Sequence, residues 1–272
     1  MKIYHIQKAL FFILIIGTNF SLAQEINNNL HGYYVAKSPS STYSSFEFDG
    51  NGKVSIIGIE FRDYFTKGDS LIIYPDESIF KFKMQKNKLI GASSWVEKQT
   101  WIKKDTVVSN NRKDDSKAKN IALLMNDYYN ISGDKTSLDF LGGDEKVSIK
   151  KNKINKLCNQ GLSRACLDYF GMLVIDDQGL MNLLNSKTSS KPENPVIVAL
   201  GNKIISQGET EGYAVLGSYY FMIGKKQKAM QQWKMGAKKG DSKSAIALFD
   251  VGLEADLDKK EPPKVIKKSA KK

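Results

Sequence analysis

The chain has 272 residues and a formal charge of +12, from 41 Lys and Arg against 29 Asp and Glu. It holds two Cys and two His, of which only His31 lies beyond residue 23, which argues against His-based metal clusters and Ser–His or Cys–His nucleophile systems. No GxSxG elbow, Walker loop or HExxH motif occurs, so the chain is expected to be non-catalytic and to need no cofactor or metal.

Residues 1–23 read as a secretory signal. Lys2 and Lys8 give a basic start, Ala9 to Gly17 is an apolar run, and Ser21-Leu22-Ala23 places small residues before Gln24. The run is too short to span a bilayer comfortably. No Cys follows the cleavage point, which argues against a lipid anchor. The mature chain is therefore expected to be exported, periplasmic or secreted, with no transmembrane helix.

From 24 to 104 the texture is that of short strands. Phe46 and Phe48 alternate with polar residues, Asp49-Gly50-Asn51-Gly52 follows, and Val54 and Ile56 resume the alternation. Turn residues that tolerate positive φ between alternating runs are a hairpin signal. Lys67-Gly68-Asp69 and Gln85 to Asn87 mark further turns, and Trp95, Val96, Trp101 and Ile102 close the region. About seven strands joined in sequence predict an antiparallel meander, which removes its edges by closing into a barrel or folding into a sandwich. The runs FEFDGNGKVSI, GDSLIIY and IFKFKMQKNKLIG, with the closing WVEKQTWIKK, make this half resemble small lipocalin-like barrels of exported bacterial proteins. Such a barrel implies an apolar ligand held between Phe46, Phe82, Trp95 and Trp101; the plainer alternative is that these aromatics fill the interior.

Residues 105–143 read as a linker with a short helix. Asp105 to Lys119 is polar, Ile121 to Tyr129 is an apolar–aromatic helix, and Ile131 to Asp144 is turn-rich with Gly133, Gly142 and Gly143. Two look-alikes fall here or nearby. Asp49 to Glu60 has the outline of a calcium loop, but Lys53 and Val54 stand where an oxygen ligand and a Gly are required. Gly142-Gly143-Asp144-Glu145 matches a cyclase turn without its Phe or its surrounding domain. His31, near the first strand, reads as a surface residue.

The region 144–258 is helical in pattern. A helix carrying Val147, Ile149, Ile154 and Leu157 leads to Cys158, and a partner helix ends after Phe170 to Ile175. Leu180 to Leu184 begins another, 186–195 is a loop, and Val196, Val198, Leu200 and Ile204-Ile205 form the next. Three stretches share one frame: NQGLSRACLDYFG, SQGETEGYAVLGS and KKGDSKSAIALFD superpose on Gly161, Gly208 and Gly240. Small residues follow each Gly by four to six positions and apolar ones by eight and nine. Ala214, Leu216, Gly217 and Tyr220 lie on one helix face, with Gly224 as its stop. Ala229, Trp233, Gly236, Ala237 and Gly240 repeat the logic, with small residues at a helix crossing and a Trp filling the gap.

On Gly212, Leu216-Gly217, Tyr220, Gly224, Lys228-Ala229, Trp233, Gly236-Ala237 and Gly240 the chain resembles Sel-one-like repeats, relatives of the tetratricopeptide arrays, with Gly208 opening the unit. The longer inter-helix loop of that family is missing, so a plain tetratricopeptide-type hairpin is the close rival. The resemblance implies an interaction scaffold. Cys158 and Cys166, close together in an exported protein, read as a disulfide; the cysteine-rich secreted branch of the same family carries a similar pair.

The expected architecture is thus α+β: an antiparallel barrel or meander, then an α-helical hairpin-repeat domain. The expected function is an exported scaffold binding a protein or peptide on the repeat surface, with a small apolar-ligand carrier as the alternative. The tail 259–272 holds seven Lys and one Glu and reads as disordered, or as an attachment to an anionic envelope surface. No basic stripe interleaved with aromatics appears elsewhere, so no nucleic acid is expected.

Overall fold

The computed structural model describes residues 25–58, 60–74, 79–104, 116–132, 144–179 and 191–258. The segment 1–23 expected to be a signal, the linker residues 105–115, the expected turns of 133–143, the expected helix start at 180–184 and the tail 259–272 lie outside the described residues. The chain divides into two compact units, 1–126 and 127–272.

Among the described residues of the first unit are nine strands: β1 (Ile26–Asn27), β2 (His31–Ala36), β3 (Ser45–Asp49), β4 (Lys53–Ile56), β5 (Glu60–Lys67), β6 (Ser70–Ile73), β7 (Phe80–Gln85), β8 (Lys88–Gly91) and β9 (Thr100–Lys104). Each of β2 to β9 pairs antiparallel with the next in sequence, and β9 returns to β2 with Tyr33 opposite Lys104 and Ala36 opposite Trp101. Eight strands therefore close into an up-and-down barrel, two more elements than the expected seven once β1 is added. Strand β1 lies outside that ring, pairing with the end of β5 through Ile26–Lys67 and Asn27–Thr66. It was missed because two residues carry no readable alternation.

Period-two alternation sets the barrel's inside. On β3 Phe46 and Phe48 are buried while Glu47 and Asp49 are exposed. The Asp49-Gly50-Asn51-Gly52 stretch makes the β3–β4 turn, with both glycines at positive φ. Asp49 Oδ1 accepts from the Asn51 and Lys53 amides at 2.7 and 2.9 Å. The acid of the calcium-loop look-alike thus serves the turn. Tyr64, inside the barrel, has its hydroxyl 2.6 Å from the carbonyl oxygens of Asn28 and Leu30, which anchors the entering chain.

Seven helices are described: α1 (Ser116–Ser132), α2 (Asp144–Asn159), α3 (Ser163–Gln178), α4 (Pro195–Ser206), α5 (Glu211–Met222), α6 (Lys226–Lys238) and α7 (Ser242–Asp258). Helix α1 is longer at both ends than the expected 121–129, because Ser116 to Asn120 is polar yet free of helix breakers. The division between the two units falls inside it. Helix α4 starts where local chemistry says it should: Pro195 needs no partner for its missing N–H, and Asn194 Oδ1 caps the Val196 amide at 3.0 Å. Each of α2/α3, α4/α5, α5/α6 and α6/α7 is joined by a short turn and packs on its neighbour, and α3 also packs on α5, and α5 on α7. No described helix is long and apolar enough to cross a membrane.

Cys158, at the end of α2, and Cys166, in the first turn of α3, have sulfurs 2.07 Å apart, at disulfide distance. Both side chains are buried. Closing so short a loop stabilises the fold by about 2.5 kcal/mol on the chain-entropy model. The double substitution Cys158→Ala, Cys166→Ala is expected to lower stability by about that amount, read as a lower urea midpoint with a slope equal to or steeper than that of the cross-linked chain. Thiol titration of denatured, non-reduced protein should find almost none; two per chain would remove the bond.

Candidate interaction surface

The three frame glycines open the site's geometry. Gly161, Gly208 and Gly240 have φ of 101°, 88° and 87°, the left-handed backbone that a side chain resists. Each ends a helix and lets the next begin within three residues. Counting from these glycines puts α3, α5 and α7 in one register. The fourth position is small and buried in all three: Ala165, Gly212 and Ser244. The third position is charged: Arg164, Glu211 and Lys243. Lys243 Nζ reaches Glu211 Oε1 at 2.5 Å, while Arg164 is held charged against its burial chiefly by Asp168 and Tyr128. The N-termini of α5 and α7 are therefore tied by an ion pair at the shared third position.

The other helices are tied to one another too. Lys203, near the end of α4, donates to Asn159 Oδ1 at the end of α2 (3.0 Å). Lys228, in the first turn of α6, pairs with Glu193 just before α4 (2.5 Å). The end of α4 thus reaches the end of α2, and the start of α6 reaches a residue just ahead of α4. Taken alternately, the helices fall into two sets, α2, α4 and α6 against α3, α5 and α7, with polar contacts between α2 and α4 in the first and between α5 and α7 in the second.

Between the sets lies the packing that the small residues allow. Gly217 has the Trp233 ring against it: a Cβ added there would sit 2.4 Å from Nε1. The Trp233 N–H donates to the Ala214 carbonyl at 3.3 Å. Gly212 meets Ile204 and Ile205, and Gly236 meets Ser244 and Tyr213. Leu216 and Ala229 are fully buried and Tyr220 nearly so; Ala237 is half-buried, and Gly224 closes the α5–α6 turn at φ 76°. All these residues are brought together, as helix-crossing and turn positions. Tyr219, overlooked because Tyr220 fits the family pattern, is the deeper of the two. Its hydroxyl accepts from the Asn194 amide at 2.7 Å, at the start of α4.

A polar cluster also escaped the sequence. Tyr128 of α1 donates to Asp168 at 2.5 Å, and Arg164 Nε lies 3.4 Å from the same hydroxyl. Arg164 and Asp168 pair at 3.6 Å, four residues apart on α3. Burial, then the Asp168 charge, push the Tyr128 hydroxyl up to about 12. The folded value is above the unfolded one, so this contribution is complete below pH 10 and lost as pH rises toward 12. Tyr128→Phe should flatten that part of the alkaline loss in a pH series of melting temperatures. An unchanged alkaline limb would contradict the assignment.

In the first unit, Phe46, Phe82 and Trp101 meet ring to ring, with centroids 5.3 to 5.4 Å apart. All three are at most 1 % exposed. Trp95 does not join them: it is 60 % exposed, in the turn region before β9. Alternation could not assign it because 92–98 is not strand, and a side chain has no fixed face outside one. Val96 beside it is the buried residue. His31, on β2, is half-buried, and its imidazole lies against Gly50. Among the described residues no cluster of three or more His, Cys, Asp or Glu could hold a metal ion.

Fold and surface together define an α+β chain: a closed antiparallel barrel and a region of packed helical hairpins. No protein-family model, no curated protein and no solved structure matches it.

Proposed function

We propose that this is an exported, non-catalytic interaction scaffold whose helical unit is built from Sel-one-like or tetratricopeptide-type repeats. The observation that carries the reading is the common register of α3, α5 and α7, with Ala165, Gly212 and Ser244 buried at one position and Arg164, Glu211 and Lys243 at the position before it. Helices stacked by translation of one frame build an extended surface from many residues, the arrangement that repeat scaffolds use for partners. The buried cysteine pair suits an oxidising compartment, and the signal-like segment 1–23 supports export. The ring-to-ring packing of Phe46, Phe82 and Trp101 weighs against the carrier alternative.

The test is affinity capture by the full-length chain from the exported proteome of its host, with quantitative mass spectrometry. A specific partner whose retention falls when surface residues of the helical unit are changed supports the scaffold. Retention of nothing specific, or of a co-purifying apolar ligand in native mass spectrometry, would move the function to the barrel.

A further inference from the structure

The two sets of alternate helices differ in charge. Within 147–159, 195–206 and 226–238, the described side chains of α2, α4 and α6, there are nine Lys and no Asp or Glu. Within 163–178, 211–222 and 242–251, on α3, α5 and α7, there are two cations, Arg164 and Lys243, against five carboxylates. Neither set is neutral, and the helical region is therefore polarised from one set to the other.

Part of the basic set is engaged inside the unit. Lys151 pairs with Asp176 of α3, Lys228 with Glu193, and Lys203 with the end of α2. Others stand exposed: Lys153 and Lys156 on α2, and Lys226, Lys234 and Lys238 on α6. Over their full lengths α2, α4 and α6 carry ten Lys against two carboxylates, Asp144 and Glu145 in the first turn of α2. The excess lysines repel one another, and an anionic partner relieves that repulsion while being steered toward it.

Apolar side chains are interleaved with these lysines. Ile149 on α2, Val196 on α4, and Met230 and Met235 on α6 are 49, 59, 36 and 37 % exposed. Single exposed apolar residues are ordinary. Ile149, Met230 and Met235 lie on the two lysine-rich helices, α2 and α6, and Val196 lies in the first turn of α4, whose one Lys is engaged, so basic and apolar side chains are mixed on this set. Its complement carries carboxylates and apolar side chains together. A nucleic acid is a poorer match. These helices hold no Arg, and their only aromatic, Trp233, is buried, so bases would find no stacking platform and phosphates no bidentate donor.

We propose that α2, α4 and α6 dock an acidic protein segment in which Asp or Glu alternates with apolar side chains. This rests on the scaffold reading above and adds the chemistry of the partner. The lysines provide orientation and association rate; Met230, Met235, Ile149 and Val196 provide the apolar contact that separates such a segment from a plain polyanion.

The test uses the full-length chain at physiological salt and three probes in fluorescence anisotropy: a synthetic 20-residue peptide of Glu and Leu, a poly-Glu peptide of the same length and charge, and heparin. The Glu/Leu peptide should bind several-fold tighter than poly-Glu. Lys153→Glu with Lys234→Glu should weaken it by roughly tenfold. Lys86→Glu with Lys88→Glu, the same charge change at exposed barrel positions, should leave it within about twofold. Both variants are checked by circular dichroism, since all four sites are exposed. Equal binding of poly-Glu or heparin would overturn the proposal in favour of a general polyanion surface. Equal loss in the barrel variant would reduce it to net charge. Self-association that the Lys153/Lys234 variant abolishes would assign the surface to a second copy's acidic helices instead. If that variant captures the same exported partner as the wild type, the acidic-partner proposal fails and the scaffold reading stands; if the wild type captures nothing, the scaffold reading itself fails.

Discussion

Trp101→Ala is expected to cost about 4 kcal/mol, the upper part of the range for deleting a large buried aromatic. The indole has no exposed surface. It touches Phe46 and Phe82 edge to face at 5.4 and 5.3 Å, so the substitution removes transfer free energy and two ring contacts together. Its N–H also donates to the Tyr43 carbonyl at 2.7 Å, and the truncation leaves that carbonyl to find another donor. A barrel closed on all sides collapses poorly around a void, because each wall strand is held by hydrogen bonds on both edges. Trp101→Phe should cost distinctly less, since it keeps part of the ring and loses the same hydrogen bond. Denaturant unfolding followed by near-ultraviolet circular dichroism reads both. A cost near 1 kcal/mol for the Ala variant would mean the interior holds spare room, and the carrier alternative would regain ground.

Trp233→Ala should cost a similar amount, about 3 to 4 kcal/mol, and it carries a sharper companion. A helical Gly→Ala change normally stabilises by roughly 0.5–1 kcal/mol. Gly171 is such a site: nothing lies within 4 Å of an added Cβ. Gly217 is the opposite, because the Trp233 ring stands within 2.5 Å of that Cβ and is held there by its bond to Ala214. Gly217→Ala should therefore destabilise by about 1–2 kcal/mol, overpacking exceeding the helix gain. In the Trp233→Ala background the notch is empty, and the same change should become stabilising. A sign reversal in the double-mutant cycle is the expected result. Additive effects of the two substitutions would show that α5 and α6 do not meet at this pair.

The packing logic explains which features could be read before any coordinates. Period-two alternation marked Phe46, Phe48 and Phe82 as one-faced, because a strand offers a side chain only two directions; Trp101 came only with the barrel resemblance. The glycine frame placed the helix ends, because few residues other than Gly adopt positive φ without strain, and it placed Ala165, Gly212 and Ser244 under their neighbours. Trp95 could not be placed, since a non-strand residue has no assigned face. Tyr128 was equally opaque: its partners Arg164 and Asp168 are some forty residues away, and nothing local marks a tyrosine for them.

The sequence by itself determined the order of the two halves, the antiparallel meander, the turn glycines and the pairing of Cys158 with Cys166, all consequences of short-range backbone and spacing rules. Only the tertiary structure decided that β9 returns to β2, that Lys243 pairs with Glu211 across α7 and α5, and that Tyr128 meets Arg164 and Asp168. Those outcomes depend on which distant segments share a boundary, and hydrogen-bond closure and helix stacking settle that only once the whole chain has folded.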